Sequence, residues 1–317
     1  MRKDAKKEIN VRLSHVQGYH ATSNYHVNYA FQGWSCNKYF ASDRAIKLDE
    51  NFRRPDGKPL KGYGLEIETE CSTINDNSVY AEMLEKVVFS HFPADLFKLQ
   101  RDGSLCGRSS AECITQVMTK EFIRNQYSAF KAMYNTYFQG LGIKCDSGNC
   151  GMHVNISLGC FGSAEKTQEE AVRKLAYLVN RHYRLMCQLV RRTGSTQYCS
   201  QMPQFSTQER AKQANLHHFS SDHFVCFNLG HYDEGRVELR LVSGQKNYGA
   251  FRNTMECVFF LVDACKRLSW ADCDDPVKVF SGCNQYVFDR LTTFCLDHLT
   301  SAQLSAIAAT VKSEELL

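Results

Sequence analysis

Apolar and polar residues alternate without a break along YGLEIETEC, residues 63–71. A period of two predicts a β-strand with Leu65 and Ile67 on one face and Glu66, Glu68 and Glu70 on the other. The run SVYAEMLEKVVFSHF changes to a helical period, with Asn77 or Ser78 placed to cap it. LFKLQRDGSL reads as a strand entering an Asp-Gly turn, and AECITQVM as its partner. KEFIRNQYSAFKAMYNTYFQGLG is an amphipathic helix closed by Gly140 and Gly142. GMHVNISL is a short strand. A long helix follows, with Thr167 and Glu170 spaced as a capping box. Its apolar positions Val172, Leu175, Val179, Tyr183, Met186 and Val190 keep a helical spacing, and it ends near Arg191 and Arg192.

Residues 195–222 are polar and read as loop with some helix. HFVCFNLGHYDEGRVELRLVSG reads as two antiparallel strands around a YDEG turn. YGAFRNTMECVFFLVDACKRLSW is a mostly apolar helix, and helices over 284–298 and 301–316 close the chain. Strands and helices mix without steady alternation, which predicts an α+β fold. Residues 1–61 keep no sustained period and end in the turn-rich RRPDGKPLKGYG. They form a basic extension, and 62–317 form the main domain. His15, His20 and His26 in the extension read as loop surface rather than metal ligands.

Composition narrows the class. No apolar run reaches the eighteen or so residues of a spanning helix, and MRKDAKKEIN has no apolar leader core. The expectation is a soluble, cytoplasmic chain without membrane partners. The 15 cysteines are scattered, with no CxxC pair; the nearest two are Cys145 and Cys150. That pattern reads as buried thiols in a reducing compartment, not a zinc site or disulfide framework. A formal charge of +4 is too small to argue for nucleic acid. Residues 1–62 hold twelve Lys/Arg against six Asp/Glu, so the surplus sits there.

Four local patterns carry candidate chemistry. Glu66, Glu68 and Glu70 put like charges on one strand face; they form either a solvated face or an oxygen-rich seat for a divalent cation. In VELRL, Glu238 and Arg240 share a face, as a surface pair or as a further carboxylate with a phosphate-gripping guanidinium. In CGMHVNIS, His153 and Asn155 share a face, and Gly151 before them suggests close backbone approach. In RDGSL, Asp102 heads a tight turn with Ser104 beside it.

Along the chain these patterns run Glu-x-Glu, Asp-Gly-Ser, Glu, Gly-x-His-x-Asn, Glu-x-Arg, as GLEIE, DGSL, AEC, GMHVN and VELR. That order resembles the amidoligase family of the carboxylate–amine ligase superfamily. GMHVNISL and RVELRLVSGQKNYGAF are also similar to strings of glutamine synthetases. The resemblance covers about residues 62–265. It implies a curved, mainly antiparallel sheet with helices on one face, like the glutamine synthetase catalytic domain. It implies ATP and Mg2+ as cofactors, with Mn2+ as an alternative. Glu66, Glu68, Glu112, His153 and Glu238 would be metal ligands. Arg240 would hold the γ-phosphate and, with Asp102, act in catalysis. Ser104, Asn155 and Arg192 would line the nucleotide site. The family's second histidine is Asn155 here, as in the similar His-aromatic-Asn string of glutamate–cysteine ligases.

The implied reaction is amide formation between a carboxylate and an amine substrate through an acyl phosphate. The partners would be amino acids, peptides or protein side chains, and a homo-oligomer is compatible. Two rivals stand beside it: a guanidino kinase-like phosphotransferase on the same fold, and a non-catalytic protein docking through its basic N-terminal segment.

Overall fold

The computed structural model describes residues 61–74, 77–92, 96–100, 105, 109–147, 150–192, 199–217, 219 and 224–312. The basic extension up to residue 60, with its three histidines, and the turn residues Asp102 and Ser104 lie outside this set. Helices and an antiparallel sheet are mixed, as the α+β expectation requires. Two compact units share the chain. The described part of the first covers Tyr63–Val154 and Ser243–Phe251; the second takes Asn155–Val242 and the chain from Arg252 on.

The first unit is built on β1 (Tyr63–Cys71), with α1 (Asn77–Met83) after it and then β2 (Phe97–Gln100) and β3 (Ser110–Thr115). β3 lies antiparallel between β2 and β1, and β5 (Met152–Ser157) flanks β1 on its other side. Ile67 stands opposite Cys113 and Thr69 opposite Ala111, so Leu65, Ile67, Ala111 and Cys113 share one buried face. Met152 and Val154 of β5 are buried as well. Fully burying a side chain of this size contributes about 1.5–3 kcal/mol, which holds the register against slippage.

Helical chain follows β3 as α2 (Lys120–Asn125), α3 (Tyr127–Ala132), a π-helical stretch Met133–Phe138 and a last turn α4 (Gln139–Leu141). The sequence predicts one continuous helix here. The chain instead breaks at Gln126 (φ −90°, ψ 5°) and widens where Met133, Tyr134, Tyr137 and Phe138 are all buried. Thr119 caps the start by accepting from the Phe122 amide, and Gly142 at φ 72° ends it in the left-handed region. Phe130 stacks on Phe251 at 4.4 Å, which ties α3 to the returning chain. β4 (Ile143–Lys144) then pairs with the end of β1.

In the second unit α5 (Glu165–Arg181) starts two residues before Thr167, so Thr167 and Glu170 are not its capping box. Ala164 occupies the cap position without a side-chain bond. Glu170 pairs with Lys174 Nζ one turn on, at 2.7 Å. At His182 (φ −104°, ψ 34°) the helix breaks before α6 (Tyr183–Leu189). α7 (Gln208–Gln213) is capped by Thr207. Two short strands, β6 (Phe227–Asn228) and β7 (Arg236–Leu239), pair antiparallel as their alternation predicts, with Asn228 opposite Glu238. α8 (Tyr248–Arg267) begins in the first unit and continues in the second. α9 (Pro276–Phe280), absent from the sequence reading, is capped by Asp275. α10 (Gln285–Phe294) and α11 (Ser301–Ala308) follow, the latter closed by a Thr300–Gln303 capping box. Among the described residues no helix is long and apolar enough to cross a membrane.

Gly244 fixes the approach to β5. A β-carbon there would lie 1.3 Å from the carbonyl oxygen of Cys145 and 2.5 Å from its carbon. Backbone cannot rotate away from such an overlap, so the chain at Cys145 would have to move. Gly244→Ala is expected to destabilise the fold by about 3 kcal/mol or more, at the upper end for overpacking. Urea unfolding measures this; an unchanged midpoint would refute the packing.

Candidate functional site

Antiparallel register decides which acidic side chains meet. Glu68 of β1 stands directly opposite Glu112 of β3. Opposed residues of such a pair project to the same face, about 4.5–5.5 Å apart at their β-carbons. Glu66, two residues along β1, lies on that face by alternation. His153 reaches the same face from β5, between the buried Met152 and Val154. Ligand atoms of Glu66, Glu112 and His153 all lie within 4.8 Å of one another. Three strands that are distant in sequence therefore deliver two carboxylates and an imidazole to one spot.

Hydrogen bonds orient this group. His153 Nδ1 is 3.1 Å from Glu66 Oε2, and its side chain is 7% exposed. A carboxylate accepts, so Nδ1 carries a proton, and a cation would take the ring through Nε2. Nε2 stands 3.7 Å from Glu68 Oε1. Two ligands each about 2.1 Å from one ion are roughly 3–4 Å apart, so this spacing suits a shared cation. The other Glu68 oxygen, Oε2, accepts from the Gly151 amide, and Glu68 N donates to the Gly151 carbonyl at 3.1 Å. Glu68 thus ties β1 to the chain just before His153. Glu70 is turned elsewhere, with its Oε2 receiving the Ser147 hydroxyl at 3.0 Å.

The donor set fits a hard or borderline divalent ion: carboxylate oxygens suit magnesium, and the imidazole brings manganese and zinc within range. Cysteine chemistry is not offered here. Burial, reinforced by the Glu70 and Glu68 carboxylates, pushes the nearby Cys150 thiol up to about 12, so it stays protonated.

In the second unit Glu238 and Arg240 form a separate polar group. Arg240 Nη1 bonds Glu238 Oε1 at 2.6 Å, and Glu238 is 3% exposed. Asn228 Nδ2 donates to the other Glu238 oxygen at 2.9 Å. Arg192 does not project outward from its helix end. Its Nε donates to the Leu241 carbonyl at 2.9 Å, and Nη2 reaches the carbonyls of Arg240 and Val242 at 3.2 Å. It therefore acts on the chain that carries Arg240. Asn155 accepts from Arg236 Nη1. Sequence reasoning missed Asn228 and Arg236. The signal for Asn228 was present: an amide inside the apolar run VCFNLG demands a buried partner.

A second histidine–carboxylate group, Glu165, Glu169 and His217, lies on the second unit. Here the ring is engaged by ion pairing: Nδ1 is 2.7 Å from Asp233 Oδ1 and Nε2 is 3.6 Å from Glu169 Oε1. The Asp233 hydrogen bond, then the Asp233 and Glu169 charges, raise its pKa above the ordinary value. A raised folded pKa contributes stability fully below the unfolded value and loses it as pH rises through the folded one. Asp233→Asn is therefore expected to lower the melting temperature at pH 5.5 and leave it unchanged at pH 9. A loss of equal size at both pH values would exclude the charge term.

The triad makes a different forecast. With magnesium or manganese at a hundredfold excess over its Kd, the wild type is expected to gain about 2.7 kcal/mol. Glu112→Gln should abolish that gain. In chelator it should be more stable than the wild type by roughly 0.2–1 kcal/mol, because the opposed like charges are gone. Differential scanning calorimetry reads both; a metal response that survives in Glu112→Gln and in His153→Ala would remove the triad as its seat.

No protein-family model matches the sequence, and no curated protein matches it either.

Proposed function

We propose that the chain is an ATP- and magnesium-dependent carboxylate–amine ligase with a glutamine synthetase-like catalytic sheet. The convergence of Glu66, Glu112 and His153 from three strands, with Glu68 Oε1 3.7 Å from His153 Nε2, carries this reading. Its identity as a ligase rests on the order of motifs that resembles amidoligases.

A bound divalent ion would neutralise phosphate oxygens, the main requirement of phosphoryl transfer. Glu66, Glu112 and His153 would hold it. Glu68 couples that seat to the Gly151 backbone and so keeps it rigid. Arg240 supplies the guanidinium for the transferring phosphate, oriented by Glu238 and by the Arg192 clamp on its own carbonyl. The substrate carboxylate oxygen bonds to the γ-phosphorus as the bond to ADP breaks. The amine nitrogen then bonds to the acyl carbon, phosphate leaves, and the amine gives up a proton. Developing charge on the phosphoryl group is where a positioned guanidinium acts, and a donor of this kind is worth roughly two to three decades in rate.

Phosphate release from Mg-ATP should require a carboxylate and an amine together, screened over amino acids and polyamines. Arg240→Ala would leave the buried Glu238 without its 2.6 Å partner, a loss of about 3–5 kcal/mol in folding. Arg240→Lys is the cleaner variant: it keeps the charge, loses the fork, and is expected to lower turnover by about a hundredfold. Glu68→Gln, whose amide oxygen still accepts from Gly151, should keep the fold and lose turnover. Phosphorylation of one substrate without amide formation would instead select the kinase reading. Unchanged turnover in both variants would remove the assignment.

A further inference from the structure

The break at His182 opens a hollow in the second unit with a volume of about 370 Å3. That lies near the lower end of the range for small-molecule sites. Its basic lining comes from Arg181, His182, Arg184 and His298, with Leu185 and Pro276 as apolar walls. None of the lining residues is acidic.

The four basic groups are not equivalent. Arg181 Nε holds Asp274 Oδ1 at 3.0 Å, so its charge is largely met. Asp274 also takes the Tyr177 hydroxyl at 2.6 Å and Gln208 Nε2 at 2.7 Å, and its charge, with that of Asp275, is felt at His182. His182 Nε2 donates to the Cys273 carbonyl at 2.8 Å, and burial lowers its pKa, so it is a neutral, fixed ring. Arg184 differs. Its side chain is exposed and has no hydrogen-bond or ion-pair partner among the described residues. The His298 ring likewise has none, its only bond being from its backbone amide to Cys295. Arg181 and Arg184 lie three residues apart on either side of the turn at His182, and both border the same hollow.

A concave site with one unmet guanidinium, a second guanidinium held beside it and no carboxylate on its wall selects an anion. Arginine's planar fork matches tetrahedral oxyanions two oxygens at a time. We infer that this hollow binds a phosphate dianion, either inorganic phosphate or the head of a small phosphomonoester, with Arg184 as principal ligand and His298 as second donor. This site is independent of the ligase reading. It uses none of the carboxylates, needs no divalent ion, and belongs wholly to the second unit.

The test uses the full chain in chelator, titrated with inorganic phosphate against sodium chloride at matched ionic strength, read by calorimetry and 31P line broadening. Saturable binding is expected in the wild type. Losing a charge-assisted bond should weaken it roughly 10- to 100-fold in Arg184→Gln. His298→Gln should weaken it less, and Arg240→Lys should leave it unchanged. Arg184 is exposed, so its replacement has no core to disrupt. Heat no larger than that of chloride would overturn the inference. So would binding that survives Arg184→Gln or that disappears in Arg240→Lys, because the anion would then sit elsewhere.

Discussion

Like charge held together on one face of a sheet is the constraint on which the first unit turns. Once Ile67 is opposite Cys113, Glu68 must be opposite Glu112. A slip of one residue would separate the carboxylates, but it would also send Leu65 and Ile67 to the polar face. Hydrophobic burial on one side of β1 therefore enforces electrostatic repulsion on the other. The repulsion is a few tenths of a kcal/mol to about one per opposed pair, while each buried aliphatic residue contributes more. The register holds, and the acidic face is its by-product. If a cation binds there as proposed, an acidic face held this way is pre-formed for it, and the ion need not pull strands into place.

His153 shows how such a face becomes specific. Oxygen ligands alone would accept most hard cations. If a metal is held as proposed, an imidazole fixed through Nδ1 would narrow the choice and set the direction of the ligand bond. Its position depends on Gly151, which exchanges bonds with Glu68 through both its amide and its carbonyl. Behind Gly151 the backbone of Cys145 and Cys150 leaves no room for a side chain at position 244. A glycine far along the chain thereby controls the placement of a histidine on β5.

Legibility followed the strength of the periodic signal. The nine residues of β1 were readable to the residue because strict alternation over that length has no helical alternative. β3, β5 and the short β6–β7 pair were readable from the same cue. Helix interruptions were not. Gln126 and His182 are ordinary helix formers by composition, and the apolar spacing continues across both breaks. Tertiary packing decides such breaks, and local propensity is silent on them. The Thr167–Glu170 box failed for a related reason: the pattern is correct as spacing, but the chain turns into the helix two residues earlier. Convergence of Glu66, Glu112 and His153 was readable only as shared faces, since alternation says which side a residue takes and nothing about which strands are neighbours.

Arg192 carries the remaining lesson about how a cation is made useful. On the proposed reading Arg240 grips phosphate, and a guanidinium in that role must not fold back on its own chain or wander with it. β7 ends at Leu239, so the ladder itself no longer holds Arg240, Leu241 and Val242. The amide of Arg240 is still bonded to a neighbour in strand fashion, to Cys226. The Arg192 side chain closes this gap by donating to three successive carbonyls, where a neighbouring strand would have supplied amides. One arginine thus replaces a strand at the sheet's end, while Glu238 fixes the orientation of the next guanidinium. The pair divides the work: a half-buried fork spent on backbone holds steady the chain from which the second fork projects.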